Sequence, residues 1–170
     1  MIGPARSLTA DAFIANWYSN YGKTLDCFQS ELYQGDGKGG FRDAGASSGL
    51  GPASLPYTGW GTAWFDFDND GWLDNLAVNG TIIAKPGDSS GGFPYDQRKL
   101  LFRNQGDGRF EIVTEPAGLG APSITKVGFG TGFLDYDNDG DLDIFVANGH
   151  VLDQVAKQNP SLSYEQTAQL

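Results

Sequence analysis

The chain has 170 residues, enough for one domain with a sizeable core. Its net charge of −10 argues against nucleic acid as a partner; no apolar run reaches the ~18 residues of a membrane span, and with a single cysteine, Cys27, there is no internal disulfide. Twenty-five glycines alongside 13% aromatic residues suit short strands joined by tight turns rather than helices.

In chain order, MIGPARSLTA lacks the apolar segment of a signal peptide, so an export signal, if the parent protein has one, is expected outside this chain. Phe13-Ile14-Ala15-Asn16 reads as a strand and matches Phe145-Val146-Ala147-Asn148 further on. Leu32-Tyr33, Gly37, Gly39, Phe41 and Gly49-Leu50-Gly51 recur as Leu101-Phe102, Gly106, Gly108, Phe110 and Gly118-Leu119-Gly120, with a constant spacing of 69 residues. Within one unit, strands are expected at Trp60–Phe65, Leu73–Val78, Leu100–Asn104 and Arg109–Val113. Thr81–Arg98 is a long polar connection, Gln105-Gly106-Asp107-Gly108 a glycine hairpin, and Pro116–Thr125 a crossover. The next unit repeats the first two strands at Phe129–Leu134 and Leu142–Ala147. Val151–Gln169 is its long connection, in which Ser161–Gln169 is expected to form a helical turn or two, and the chain stops where a third strand should start. The expected fold is all-β, with β-propeller blades of four antiparallel strands: three strands of one blade, four of a second and two of a third, about two to two and a half blades. The corresponding boundaries are 12–43, 59–114 and 128–170.

Between the first and second strands of two units lies the same acidic loop. DFDNDGWLD places Asp66, Asp68, Asp70, Gly71 and Asp74 at positions 1, 3, 5, 6 and 9; DYDNDGDLD places Asp135, Asp137, Asp139, Gly140 and Asp143 there. Carboxylates this dense repel one another unless a cation sits among them, and alternate oxygen ligands with a turn glycine are what calcium requires. The position-7 carbonyls, of Trp72 and Asp141, are the expected fifth ligands, so two calcium ions per chain are expected. An EF-hand is excluded, because position 12 is Ala77 or Val146 rather than a bidentate glutamate and the flanks read as strands. Asp11 falls at position 9 of a loop whose earlier carboxylates are absent.

Other residues have plainer roles. His150, the only histidine, is expected in a turn or cap rather than in catalysis, and Cys27 as a buried inert thiol. Asn16, Asn79 and Asn148 end equivalent strands and are expected to hydrogen-bond turns. Trp17, Tyr18, Trp60, Trp64 and Trp72 suit packing between sheets better than a sugar-binding face. Lys23, Lys38, Lys99 and Arg103 form no basic patch.

DFDNDGWLD, DYDNDGDLD, FVANGH (Phe145–His150) and LFRNQGDGRFEIVTEPAGLG (Leu101–Gly120) resemble the FG-GAP/VCBS repeats of integrin-like propellers. Within them the sequence looks closest to the group of cartilage acidic protein, whose repeats precede an ASPIC/UnbV domain. The resemblance implies a propeller of about seven blades, calcium in the strand-connecting loops and an extracellular or cell-surface location; the chain is too short for seven blades and carries no ASPIC/UnbV segment. It implies a non-enzymatic scaffold for binding or adhesion, with a protein or carbohydrate ligand. The rival is part of a polysaccharide lyase or hydrolase, for which Asp88, Asp96, Arg98 and Lys99 are the only candidates on the long connection; a remnant without independent function is the third alternative. Incomplete end blades leave apolar faces bare, so the protein is expected to be either a fragment that is marginal alone or a homo-oligomer that completes the propeller, and in dilution oligomeric or aggregation-prone.

Overall fold

The computed structural model describes residues 11–16, 29–82, 97–158 and 160–170. Trp17, Tyr18, Lys23, Cys27, Asp88, Asp96 and the middle of the long connection lie outside them. The described residues are mostly strand, in three small antiparallel sheets. Sheet A has the order β1 (Ala12–Ile14), β2 (Glu31–Gly35), β3 (Phe41–Asp43). Sheet B is a four-stranded meander of β4 (Gly59–Phe65), β5 (Asp74–Asn79), β6 (Leu100–Asn104) and β7 (Phe110–Ile112). Sheet C pairs β8 (Gly128–Leu134) with β9 (Asp143–Asn148). Three, four and two strands is the count that the repeat implies, and no helix among the described residues is long and apolar enough to cross a membrane.

Side chains alternate across each strand, so sheet B has two apolar faces. Ala77, Leu100 and Phe102 face sheet A and pack with its Phe13 and Leu32, joined by Trp64 and Phe110. Phe65, Leu76, Val78 and Leu101 face sheet C and meet Val146, with Phe133 and Ile144 beside it. The Phe65 and Phe133 rings stack at 3.7 Å, while Trp60 lies 5.0 Å from Phe129 and Trp64 5.9 Å from Phe110. Trp60 and Trp64 are therefore spent on packing between and within sheets. β4 and β8 run so close that a Cβ on Gly61 would sit 2.6 Å from the Phe129 carbonyl oxygen. Only glycine permits that approach.

The 69-residue period survives as individual hydrogen bonds. Asn16, Asn79 and Asn148 donate from Nδ2 to the carbonyls of Gln29, Arg98 and Thr167, each time tying the end of a second strand to the chain entering the third. Gln97 and Gln166 accept the equivalent N–H groups of Thr58 and Val127. Ser54 and Ser123 accept those of Ser30 and Lys99. Gln169 bridges Val146 as Leu100 pairs with Ala77, so the last residues begin a third strand on sheet C.

The structure corrects the expected helix at Ser161–Gln169. Glu165 and Gln169 instead bridge Gly149 and Val146, and the short helix lies earlier, at α4 (Val155–Gln158). The open edge of β9 offers Gln169 unpaired N–H and C=O groups, and a sheet edge that satisfies them outweighs a weak local helical preference. The crossovers carry helical turns that composition did not indicate: α1 (Gly45–Ser48), α2 (Leu50–Ser54) and α3 (Gly120–Ser123). Ser54 and Ser123 close theirs by donating to the carbonyls of Gly51 and Gly120. His150 has a turn role: it is buried and its Nδ1 accepts the Leu152 N–H at 3.0 Å. Burial lowers its pKa.

Lys99 is buried between sheet B and α3, and its Nζ donates to the carbonyls of Ser123 and Lys126 at 3.1 and 2.7 Å. Carbonyl dipoles solvate the ammonium only partly, and desolvation, with Lys126 nearby, lowers its pKa to about 8. The unfolded chain, with a lysine near pKa ~10.4, then binds more protons between pH 8 and ~10.4, so stability rises with pH across that window. Denaturant unfolding at pH 7.5 and pH 10 should show a gain on the order of 1–3 kcal/mol, and Lys99→Met should lose that gain.

Candidate metal centres

Each acidic loop leaves the first strand of its sheet, turns, and enters the second. Asparagine at position 4 and glycine at position 6 adopt positive φ, 57° and 90° at Asn69 and Gly71, 60° and 97° at Asn138 and Gly140. These are residue types for which the left-handed region costs little. The turn brings the carboxylates together. Asp66, Asp68 and Asp74 each present an oxygen within 4.8 Å of the others, and so do Asp135, Asp137 and Asp143.

The two loops share these three backbone bonds, and the second adds one from the Asp139 N–H to Asp135 Oδ1 at 3.1 Å, whereas the equivalent Asp66 Oδ1 accepts none. Gly71 and Gly140 donate N–H to Oδ2 of Asp66 and Asp135, at 2.8 and 3.2 Å. Trp72 and Asp141 donate to Oδ1 of Asp70 and Asp139, at 2.8 and 2.9 Å. Phe67 and Tyr136 donate to Oδ2 of Asp74 and Asp143, at 2.9 and 2.8 Å. Asp70 and Asp139, also expected as ligands, are not among these groups of three, and their Oδ1 atoms bracket the turn through the bonds from Trp72 and Asp141. The side chain of Trp72 is exposed and lies over Gly106 of the β6–β7 hairpin.

Asp74 is the buried member of its group, and its Oδ1 accepts the Asn104 N–H from β6 at 2.7 Å. Asp11, expected at the same loop position, does the same for sheet A by accepting the Gly35 N–H at 3.1 Å. Burial pushes the Asp74 carboxyl up, against the two N–H bonds that favour its charged form, and the charges of Asp68 and Asp70 push the same way. In sheet C the loop is more exposed and Asp143 is half-buried.

One oxygen is left over. Among the described residues, the buried Asp66 Oδ1 has no hydrogen-bond partner, while its Oδ2 is occupied by Gly71. A buried carboxylate oxygen without a donor is costly. A hard cation among Asp66, Asp68 and Asp74 would satisfy it, so the donor set fits an oxygen-seeking metal.

Two contacts were not legible in the motif. Arg103 on β6 sets its Nε 2.8 Å from Asp68 Oδ2 and its Nη2 3.9 Å from Asp70 Oδ2, supplying a positive charge at the rim of the first loop. Asn69 donates to Asp141 Oδ1 at 2.9 Å, linking the two loops across the sheets. Among the rival catalytic candidates, Arg98 is half-exposed and pairs with Glu115, and Lys99 is the buried cation of the sheet B core.

The loop carboxylates should separate by mutation. Asp74→Ala orphans two backbone donors and should cost about 1–3 kcal/mol per unsatisfied buried group with or without added calcium. Asp68→Ala loses an exposed ion pair, of about 0–1 kcal/mol, and an exposed hydrogen bond from the Asp70 N–H at 3.3 Å that water can replace, and should destabilise appreciably only when calcium is present. Paired thermal melts in calcium and in chelator measure the difference.

A search of curated proteins finds no match to the chain. Residues 90–150, which span β6 to β9 and contain the whole second acidic loop, match the FG-GAP-like repeat family.

Proposed function

We propose that the chain is a non-enzymatic, calcium-stabilised segment of an FG-GAP/VCBS-type propeller, serving as an extracellular or cell-surface scaffold that binds a protein or carbohydrate ligand. The observation that carries the metal reading is the buried, partnerless Asp66 Oδ1 inside a carboxylate group whose architecture recurs at Asp135, Asp137 and Asp143. The first ion would be held by Asp66, Asp68 and Asp74, the second by Asp135, Asp137 and Asp143. Asp70, Asp139 and the carbonyls of Trp72 and Asp141 are the further oxygens that each loop offers. The role of the ion is structural: it would neutralise the carboxylates that draw β4 to β5 and β8 to β9. The adhesion role and the location rest on the FG-GAP-like repeat and on the finer likeness to the cartilage acidic protein group. A structural rather than catalytic use of the carboxylates is supported by their bonds, since most of them accept backbone N–H groups of their own turn.

Calorimetric titration of calcium into chelator-treated protein should give a stoichiometry near two. At a hundredfold excess over Kd each site adds ~2.7 kcal/mol, which at about 2–4 °C per kcal/mol corresponds to a rise in Tm of about 5–10 °C. A stoichiometry of zero refutes the metal reading. The first site, beside Arg103, should bind more weakly than the second, and Arg103→Gln should narrow the gap.

A further inference from the structure

The two acidic loops leave strands that pack on each other. Phe65, the last residue of β4, stacks at 3.7 Å on Phe133, next to the last of β8. Asn69 spans the gap between the loops that follow. It stands at position 4 of the first loop with a φ of 57°, and its Nδ2 donates to Asp141 Oδ1, at position 7 of the second loop, at 2.9 Å. Both ends of this bond lie inside a candidate centre. Asn69 is flanked by Asp68 and Asp70, and the main-chain carbonyl of Asp141 is one of the oxygens that the second loop offers.

The bond in which the two loops differ lies beside the tied residue. In the second loop the Asp139 N–H is shared between Asp135 Oδ1 and Asp137 Oδ1, at 3.1 and 3.2 Å. In the first loop the equivalent Asp70 N–H is given to Asp68 Oδ1 at 3.3 Å, and Asp66 Oδ1 is left open. The chain therefore holds one loop in two arrangements. In one, the first aspartate is filled by its own turn; in the other, that oxygen is open and Asn69 is held by the neighbouring loop.

We propose that Asn69 is a positioning residue that couples the two centres, so that filling either loop strengthens binding at the other. This rests on the metal reading given above. When the second loop is filled, Asp141 is fixed at its carbonyl, and the acceptor of the Asn69 amide is fixed with it. Asn69 in turn keeps the adjacent Asp70 N–H off Asp66 Oδ1, the oxygen that a cation at the first centre requires. Coupling between binding sites is reciprocal, so filling the first loop favours the second by the same factor. The bond is exposed, which sets its share of the coupling at about two- to tenfold.

The test is a calcium titration of the intact, chelator-treated chain against a competing chelator of known affinity, followed by amide NMR. Gly71 and Gly140 donate to Asp66 and Asp135, so their resonances read the two loops separately. Asp68→Ala silences the first loop, and Asn69→Gly removes the tie while tolerating the positive φ. Asp68→Ala should weaken calcium binding at the second loop about two- to tenfold more in the Asn69 chain than in the Asn69→Gly chain. Repulsion between two cations, and the charge of Asp68 itself, act in both chains and cancel in the comparison. Asn69→Asp together with Asp141→Asn exchanges donor and acceptor and should restore the coupling, which a purely structural role of either residue would not. Melts in chelator check folding, and Asp141→Ala, which removes the acceptor from the other loop, replaces Asn69→Gly if that variant melts early. An equal effect of Asp68→Ala in both chains, or no restoration by the exchanged pair, overturns the coupling and leaves two independent centres with the metal reading standing. If neither glycine responds to calcium, the metal reading and the coupling fall together.

Discussion

The aspartate at the ninth position of the loop holds three pieces of chain at once. In sheet B, Asp74 accepts the Phe67 N–H of its own loop with one oxygen and the Asn104 N–H of the third strand with the other. The loop, the start of β5 and the end of β6 are thereby fixed to a single buried group, which in turn places Asp66 and Asp68 beside it. Sheet A keeps this bond through Asp11 and Gly35 although the sequence before Asp11 carries none of the other loop carboxylates. The bond to the third strand is therefore separable from the acidic cluster: one organises the sheet, the other is added where Asp66, Asp68 and their equivalents are present.

Around that bond the sheets share a small set of polar clamps. An asparagine at the end of the second strand, a glutamine before the third and a serine in the crossover each satisfy a backbone group that the meander leaves open. Buried backbone donors and acceptors must find partners, and a short sheet has too few ladder bonds to supply them all. Lys99 departs from the pattern. Its counterpart in sheet A is Ser30, and the longer side chain threads through the core to reach two carbonyls, trading the comfort of a small residue for a partly desolvated charge.

The apolar faces follow the same logic at a larger scale. Sheet B is packed on both sides and its Leu76, Val78 and Leu101 are fully buried; their sheet A equivalents Phe13 and Leu32 are buried against it, whereas Phe145, the sheet C equivalent of Leu76, is 40% exposed.

Sequence alone determined the strand order, the period of 69 residues, the two acidic loops and the rejection of an EF-hand. Each of these is written in local pattern: alternation, glycine at the turns, and valine or alanine where a bidentate glutamate would stand. That Asn16, Asn79 and Asn148 would share a hydrogen-bonding role was legible for the same reason, since equivalent strand ends present equivalent needs, but their partners, expected in a turn, are carbonyls 13 to 19 residues further along the chain. Tertiary structure decided the rest. That Asp74 reaches across to Asn104, that Arg103 stands against Asp68, and that Asn69 joins the second loop at Asp141 depend on which strands and loops lie side by side, 30 residues or more apart in sequence. The helical turns at α2 and α3, and the extended path of Glu165–Gln169 in place of a helix, were decided there too. Weak local preferences yield where a serine hydroxyl or an open sheet edge supplies the partner that the backbone lacks.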